Sequence, residues 1–521
     1  MGMGKKVAQA VFNAAWGLLH GKAETRPSNQ IAAAGHGRRG RLWVGARSGM
    51  NALHQANAAT LRDRSHEAAL NNPYAAHALD VVTSNLIGTG IKPQPLIDDP
   101  AIKAAVQRAW LDWTDEADAA GLTDFYGLQA LVTRTMVESG ECFVRFRPRR
   151  MEDGLTVPLQ LQVLEPEFLD TTRDGWIGNG SYIRGGVEFN AIGRRAAYHF
   201  HRWHPNDGMA VAMNSTTRVP ADDVMHIFRP LRPGQERGLP WFTQVLVKLY
   251  ELDQYDDAEL VRKKVAAMFT AFITRPGLVA EDEDPNLAPA DPVWQQRLAD
   301  DPTADAELQP GTLQVLTPGD EVKIAEPADV GSAYPAFMQQ QLRALAVGIG
   351  ITYEQLTGDL TGVNFSSIRA GLLEMRRLFE QLQHSVMVYQ FCRPVWLRWV
   401  RTAALAGAVD MPGFAVHPAR YTRVKWIPQG WQWVDPVKEI AAVVAAIRAG
   451  LMSRSDAISQ YGYDAEEIDA QLKADKDRAD GYGLVLDTDP SHTSKAGTQQ
   501  QFDVTEMARQ EAGEQPRSSG R

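Results

Sequence analysis

The feature that most constrains this 521-residue chain is an apolar stripe late in the sequence. Phe365, Ile368, Leu372, Met375, Phe379, Leu382, Val386 and Tyr389 recur at alternating steps of three and four. Such steps keep side chains on one face of an α-helix, so the spacing predicts a helix of about seven turns packed along its length. Pro394 has no N–H and is expected to kink or interrupt that helix before "VWLRWVRTAALAG" resumes it. The lead-in to the stripe, "LTGDLTGVN", has the opposite character. Gly358, Gly362 and Asn364 break helices, and the stretch holds no nucleophile with its base, no metal cage and no phosphate cradle. A long helix with so small and polar a lead-in points to a pliant loop rather than to a catalytic centre.

Length exceeds what one core accommodates and fits two to four domains. Hydrophobic content of 44% and charged content of 22% are those of an ordinary folded chain. A net charge of −9 excludes a generally basic nucleic-acid binder. Cys142 and Cys392 lie far apart, which gives no disulfide framework or CxxC site and fits a reducing compartment. No apolar run reaches about 18 residues, so no membrane-spanning helix is expected.

The N-terminal "GKKVAQAVFNAAWGLLHGKA" has the outline of a signal peptide, but Gln9, Asn13 and His20 interrupt its apolar run. It reads as a short amphipathic helix. Lys5, Lys6, Lys22, Arg26, Arg38, Arg39, Arg41 and Arg47 stand against Glu24 alone, a balance of +7. That is a flexible basic arm, either solvated or in contact with nucleic acid or an acidic neighbour. After about residue 487 the chain is rich in Ser, Gln, Glu and Gly and is expected to be disordered.

Between these ends the periodicity switches twice. Residues 57–87 read as helix, with Asn71 and Asn72 capping a start at Pro73 and Gly88 and Gly90 as the stop. Residues 101–117 and 125–138 read as two more helices. Alternation in "GECFVRFRPRR", "LQLQVLEPEFLD", "AAYHFHRWHP" and "DVMHIFRP" then predicts strands, and together an α+β fold on an antiparallel sheet. A helix is expected from "GLPWF" to Phe269, followed by a Pro-rich acidic insertion with only two arginines. "TLQVLTPGDEVKIAEP" reads as two short strands around a turn, and Tyr334–Gly348 as helix. The tail reads as three helices, the first ending at Gly450, the others capped by Ser453 and Asp464.

Residues that could carry chemistry are few. His199, His201 and His204 have a spacing a metal could use, but no local cysteine or ordered carboxylate, so they read as a solvated strand edge. The acidic run Glu281, Asp282, Glu283 and Asp284 could be imagined as a divalent-cation or nuclease site. Its Pro-rich context favours a solvated or partner-facing loop. P-loop, nucleophile-elbow and dinucleotide fingerprints are missing. Cys142 reads as a core cysteine. Trp426, Trp431 and Trp433 suit either base stacking or packing at a turn, and packing is the plainer reading; so it is for Phe365, Tyr389, Trp396 and Trp399. No catalytic residue, metal or cofactor is expected.

The order of these pieces resembles the portal proteins of tailed bacteriophages, specifically the lambda-type family. The resemblance is carried by "NNPYAAHALDVVTSNLIGTGIKPQP", "VMHIFRPLRPGQERGLPWF", "LTPGDEVKIAEP", "LRALAVGIGITYEQLTGDLTGVNFSSIRAGLLEMRR" and "KEIAAVVAAIRAGLMSRSDAISQYGYDAEEI". It spans roughly residues 45–485, and its strength is the order of five segments rather than any one motif.

The resemblance implies a portal-type fold: a basic arm at 1–45, a mixed α/β wing at 46–238, and a first stem helix at 239–269. A small α/β clip at 270–327, a second stem helix at 328–349 and a tunnel loop at 350–364 would follow. The long kinked wing helix with wing strands would occupy 365–434, an α-helical crown 435–486, and a disordered tail 487–521. It implies a ring, twelve-fold in the virion, at one capsid vertex, assembled in the host cytoplasm. Double-stranded DNA would pass through it in packaging and ejection. The terminase large subunit, head–tail connector proteins and the major capsid protein would be its partners, with no membrane involved. Thr357, Gly358, Asp359, Thr361, Gly362 and Asn364 would face the DNA, and a loop that lets DNA slide should lack lysine. Arg369, Arg376 and Arg377 would contact DNA or a neighbouring subunit, unless they are simply solvated. Glu281 to Asp284 would meet the motor or connector. Twelve copies at −9 would total about −108, which suits a conduit more than a clamp. A head–tail adaptor, which does not need the stem–clip–stem order, and a metal-dependent DNA-processing enzyme are the competing readings.

Overall fold

The computed structural model describes residues 48–207, 215–268, 272–274, 321–323, 333–431 and 436–484. The arm at 1–45, the tail at 487–521, Trp433, most of 270–327 and within it Glu281, Asp282, Glu283 and Asp284 lie outside the described residues. The chain divides into two units, Met1–Leu53 and His54–Arg521. Of the first, residues 48–53 are described and open helix α1 (Met50–Asn71).

The helical stretch expected at 57–87 begins earlier and is broken at Asn72. The Asn72 side chain accepts hydrogen bonds from the Tyr74 and Ala75 N–H groups at 3.0 and 3.2 Å and starts α2 (Pro73–Leu86). Asp99 caps α3 (Pro100–Thr114) and Asp124 caps α4 (Phe125–Ser139) in the same way. Gly140 then takes φ +93° and turns the chain into β2 (Glu141–Pro148).

The antiparallel architecture is present mainly as two larger sheets rather than one, beside two two-stranded pairs among the described residues. β3 (Leu159–Leu164), β2 and β9 (Val224–Phe228) form a three-stranded sheet in that spatial order. A five-stranded meander comprises β4 (Gly175–Gly178), β5 (Ser181–Arg184), β6 (Val187–Phe189), β7 (Arg195–His201) and β8 (Thr216–Pro220). β2 serves two cores, because alternate side chains leave a strand on opposite faces. Cys142, Val144 and Phe146 enter the main core, whereas Phe143 joins Tyr198 and Phe200 in a second one under the meander. Phe143 is therefore buried although its face of the strand also carries Arg145 and Arg147.

Aromatic rings dominate the main core. Trp110 of α3 meets Trp396 and Trp399 edge-on, both with centroids 5.1 Å away, and Phe125 of α4 stacks on Phe391 at 5.7 Å. Trp396 and Trp399 are therefore core residues as expected, and burying each large ring stabilises by about 2–3 kcal/mol. β1 (Lys92–Pro95) pairs antiparallel with β12 (Val424–Ile427), Lys92 opposite Ile427, and so ties an early segment to a late one.

α5 (Leu246–Met268) starts later than the expected residue 239 and follows a single 3₁₀ turn at Trp241–Gln244. Leu239 and Pro240 are held against Gly140: a Cβ there would stand 2.3 Å from the Leu239 carbonyl carbon. The chain is thus committed to packing before it can coil. α6 (Ala333–Ile349) lies against α5, with Tyr255 stacked on Tyr334 at 6.1 Å and edge-on to Phe337 at 5.1 Å. β10 (Phe272–Thr274) and β11 (Glu321–Lys323) pair antiparallel.

After α7 (Tyr353–Thr357) comes the long helix. It runs as α8 (Phe365–Leu382), a π-helical stretch at Gln383–Cys392, and α9 (Arg393–Ala406). The expected interruption therefore lies before Pro394 rather than at it. A π turn shifts the ladder to i→i−5, seen where Arg393 N–H bonds the Val388 carbonyl, and Pro394 sits in the first turn of the restored α register. The extra residue per turn also rotates the apolar face. Met375, Phe379, Leu382 and Val386 are buried as the stripe predicts, but Met387, Phe391 and Cys392 take over beyond them. Tyr389, which the uniform spacing places in the core, is 64% exposed.

α10 (Ala419–Thr422) precedes β12. The last helices are α11 (Pro436–Arg448), α12 (Arg454–Gln460) and α13 (Ala465–Gly481). α11 buries no residue. The group is fastened through polar contacts instead: Gln94 to Asp464 at 2.6 Å, Lys103 to Glu466 at 2.5 Å and Lys425 to Asp456 at 3.1 Å.

Candidate functional site

The loop between α6 and α8 is built to hold a defined shape. Thr352 and Gln355 form a reciprocal capping box that starts α7, a T-x-x-Q signal present in "TYEQ" that sequence reasoning passed over. Gly358 ends α7 in the left-handed region at φ +71°, its N–H bonding the Glu354 carbonyl. Gly362 turns the chain again at φ +73°, and Asn364 caps α8 by accepting from the Ser367 N–H at 2.8 Å.

Asp359 is the hub of this loop. Its carboxylate accepts from Thr361 Oγ1 at 2.6 Å, Thr361 N–H at 2.9 Å and the Tyr353 hydroxyl at 3.0 Å. Those bonds, the Thr361 hydroxyl first, hold the carboxyl below its usual range, so it stays charged at neutral and mildly acidic pH. Thr357 donates its hydroxyl to the Tyr353 carbonyl and accepts from the Asp359 N–H. The Arg343 guanidinium of α6 lies 5.5 Å from the Tyr353 ring centre and braces the loop from behind. Thus the polar side chains of Thr357, Asp359, Thr361 and Asn364 are spent on one another and on backbone, and the outer surface of the loop carries Asp359 and no cation.

The three arginines after the loop differ from one another. Arg369 Nη2 lies 3.4 Å from Glu439 Oε1 of α11. Arg376 stacks over the Trp431 ring at 5.3 Å, and the Trp431 indole N–H donates to Glu380 at 3.0 Å. Arg377 is exposed beside Glu374, 3.5 Å away. Two of the three therefore tie the long helix to segments that follow it. Trp426 and Trp431 pack against the main core at its margin, as the plainer reading had it.

The histidine trio is not at a strand edge. β7 is the fourth of five strands, flanked by β6 and β8, and His199 on it is 6% exposed. Carboxylates do accompany the trio: Glu188 at 3.5 Å from His199, Asp170 at 3.9 Å from His201 and Glu165 at 3.3 Å from His204. Sequence spacing missed them because the partners come from other strands and loops. Ligand atoms of Glu165, Glu167 and His204 lie within 4.8 Å of one another. Arg62 Nε, 2.8 Å from Glu167 Oε1, already supplies positive charge there, which makes the group an ion-pair cluster. Burial lowers the His199 pKa and favours its neutral ring.

A fully buried carboxylate lies elsewhere. Glu141, at the head of β2, is fully buried and accepts from Arg237 Nε at 2.8 Å on both oxygens, from Arg237 Nη2, from Gly238 N–H at 2.9 Å and from His226 Nε2 at 2.9 Å. No helix among the described residues is long and apolar enough to cross a membrane.

Known proteins resemble this chain over most of its length. Over 458 residues the chain is 28% identical to a probable portal protein of Halomonas phage phiHAP-1, spanning 85% of each. It is 26% identical to the portal protein of Escherichia phage N15, over 78% of this chain and 82% of the relative. It is 24% identical to portal protein B of Escherichia phage lambda, over 84% and 87%. Among solved structures, the neck of a native GTA particle computed with C12 symmetry superposes with a TM-score of 0.45 at 14% identity, covering 77% of this chain and 91% of that one. Residues 36–383, the stretch that holds both sheets, helices α5 and α6, the Asp359 loop and all of α8, match the family described as phage portal protein, lambda family, and the chain belongs to that family.

Proposed function

We propose that this portal protein assembles as a ring at one vertex of a phage capsid, twelve-fold in the virion. Double-stranded DNA passes along its axis during packaging and ejection. Residues 46–238 and 365–434 act as wing, α5 and α6 as stem, 270–327 as clip and 435–486 as crown. The clip docks the terminase large subunit and later the head–tail connector, with Glu281 to Asp284 offered to basic partner surfaces. The wing meets the major capsid protein. The protein conducts DNA and performs no catalysis of its own.

The observation that carries this reading is the Asp359 loop. It joins a stem helix to the long wing helix, and beside the exposed Leu360 it presents glycines, satisfied hydroxyls and one fixed negative charge. Each lysine or arginine on phosphate adds salt-dependent affinity, which would hold a moving duplex. A self-bonded loop whose outward charge repels phosphate guides DNA without gripping it.

Electron microscopy and solution mass of the purified protein test the ring. Rings of about twelve subunits with an open channel are expected, and a monomer that no capsid or scaffold partner converts to rings would overturn the reading. For the loop, deletion of Gly358–Gly362 should leave rings intact and impair packaging or retention of DNA; normal packaging would refute its role.

A further inference from the structure

A second surface stands apart from the channel loop. The π-helical stretch turns Tyr389 out of the core and onto the wall of a groove of about 430 Å³. Leu96 after β1, Val388, Leu397 of α9, and Val424 and Trp426 of β12 form the rest of its apolar lining. Leu96 is 51% exposed and Leu397 is 42% exposed. Arg393 and Arg423 border it, and no carboxylate lines it. Neither guanidinium makes an ion pair or hydrogen bond among the described residues.

Several of the chain's other arginines are engaged, as Arg398 is with Asp223 and Arg218 with Glu188. Here two unpaired cations flank exposed Leu and Tyr side chains beside the half-buried Trp426. Tyr, Trp and Arg are the side chains that carry most interface energy, and exposed apolar groups gathered around a groove mark a docking surface. π turns also recur at functional positions, because they cost helix stability and persist where they place a side chain. Here the displaced side chain is Tyr389.

We propose that this groove is a docking site for an acidic, apolar segment of a partner protein. The occupant lays Leu- or Phe-type side chains against Tyr389, Leu397 and Leu96, and sets Asp or Glu carboxylates on Arg393 and Arg423. Charge complementarity selects the sign of the partner. The apolar walls favour protein over nucleic acid, since a phosphate backbone would leave Leu96 and Leu397 in water.

The test uses the full-length protein immobilised as purified, and a random peptide library displayed on ribosomes. Peptides are selected on the wild type and then scored on the R393E/R423E and Y389A/L397A variants, whose folding is checked by circular dichroism and melting. Enrichment of sequences pairing Asp or Glu with Leu, Ile or Phe is expected. Their binding should fall about tenfold or more on R393E/R423E, a change of about 1.4 kcal/mol, and several-fold on Y389A/L397A. Enrichment of basic or neutral sequences, or no sequence sensitive to these residues, would overturn the proposal. So would displacement of the peptides by a DNA duplex, which would reassign the groove to nucleic acid. Loss of binding as the protein self-associates would reassign it to a second copy. Self-association apart, these outcomes do not bear on ring assembly or the Asp359 loop, so the portal reading stands or falls separately.

Discussion

Arg237 clasps Glu141 across 96 residues of sequence, with Nε at 2.8 Å from both carboxylate oxygens. Burial would raise the Glu141 carboxyl; the Arg237 guanidinium and the His226 hydrogen bond override it and hold the carboxyl well below its usual range. The pair joins the first residue of β2 to the segment that leads into α5, so it fixes where α5 departs from the sheets. Removing one partner leaves the other charge buried and uncompensated. Glu141→Gln is expected to cost about 3–5 kcal/mol in urea unfolding. The double change Glu141→Leu with Arg237→Leu should cost less than the single one, because it leaves no orphan charge. Equal or greater loss in the double variant would show that the network does more than pair charges.

The same cluster predicts acid sensitivity. Burial lowers the pKa of His226 to about 4, against the raising effect of Glu141, and burial likewise lowers that of His54 to about 4. Both rings fold neutral. Above the ordinary histidine value of 6.5 their contribution is fully present, and it is lost as pH falls from 6.5 towards 4, because the unfolded chain then binds protons that the folded chain refuses. Glu141, also depressed, adds to the loss below about 4.5. Urea midpoints should therefore fall between pH 7 and pH 5, at a slope of up to about 1.4 kcal/mol per pH unit for each proton taken up. His226→Gln keeps a donor for Glu141 and removes one titrating ring, so its slope should be shallower. An unchanged slope would locate the acid sensitivity elsewhere.

Local rules made much of this legible in the sequence, and non-local pairing set the limit. Asn72 before Pro73 marks a helix start whatever surrounds it, and the alternation in β2 and β7 marks strands. The Asp359 loop announced itself through Gly358 and Gly362, yet its hydrogen bonds did not, because Tyr353 lies back on the preceding helix. Glu141 and Arg237 gave no signal, since nothing in either neighbourhood names the other. Tyr389 was misplaced for a different reason: a uniform step of three and four assumes a uniform turn, and the π stretch at Gln383–Cys392 breaks that assumption. The histidine trio was misjudged because its carboxylate partners arrive from other strands.

The last three helices should be separable from the rest. α11 buries no residue and is held partly by Arg369 to Glu439, a pair whose side chains are 38% and 22% exposed. Such a pair contributes less than about 1 kcal/mol. Arg369→Ala is expected to leave global unfolding within experimental error while speeding amide exchange across 436–448 by a few-fold. A drop in global stability instead would mean that α11 is part of the main cooperative unit.

Three glycines at positive φ distinguish shape from space. At Gly358 and Gly362, nothing lies within 4 Å of where a Cβ would stand, so Gly→Ala meets only the strain of a left-handed backbone, roughly 1 kcal/mol each. That strain acts on the loop and not on the cores. The variants should melt close to the wild type, form rings, and alter DNA translocation or retention if the loop must keep its two turns. Gly140 differs: at φ +93° a Cβ would also stand 2.3 Å from the Leu239 carbonyl carbon and 2.4 Å from Pro240 N. Backbone cannot move aside there without displacing Glu141 from Arg237. Gly140→Ala should therefore lower the melting temperature far more than either loop substitution. Equal effects at all three positions would mean that the Asp359 loop is as tightly packed as the head of β2, and that its turns are structural rather than a guide for DNA.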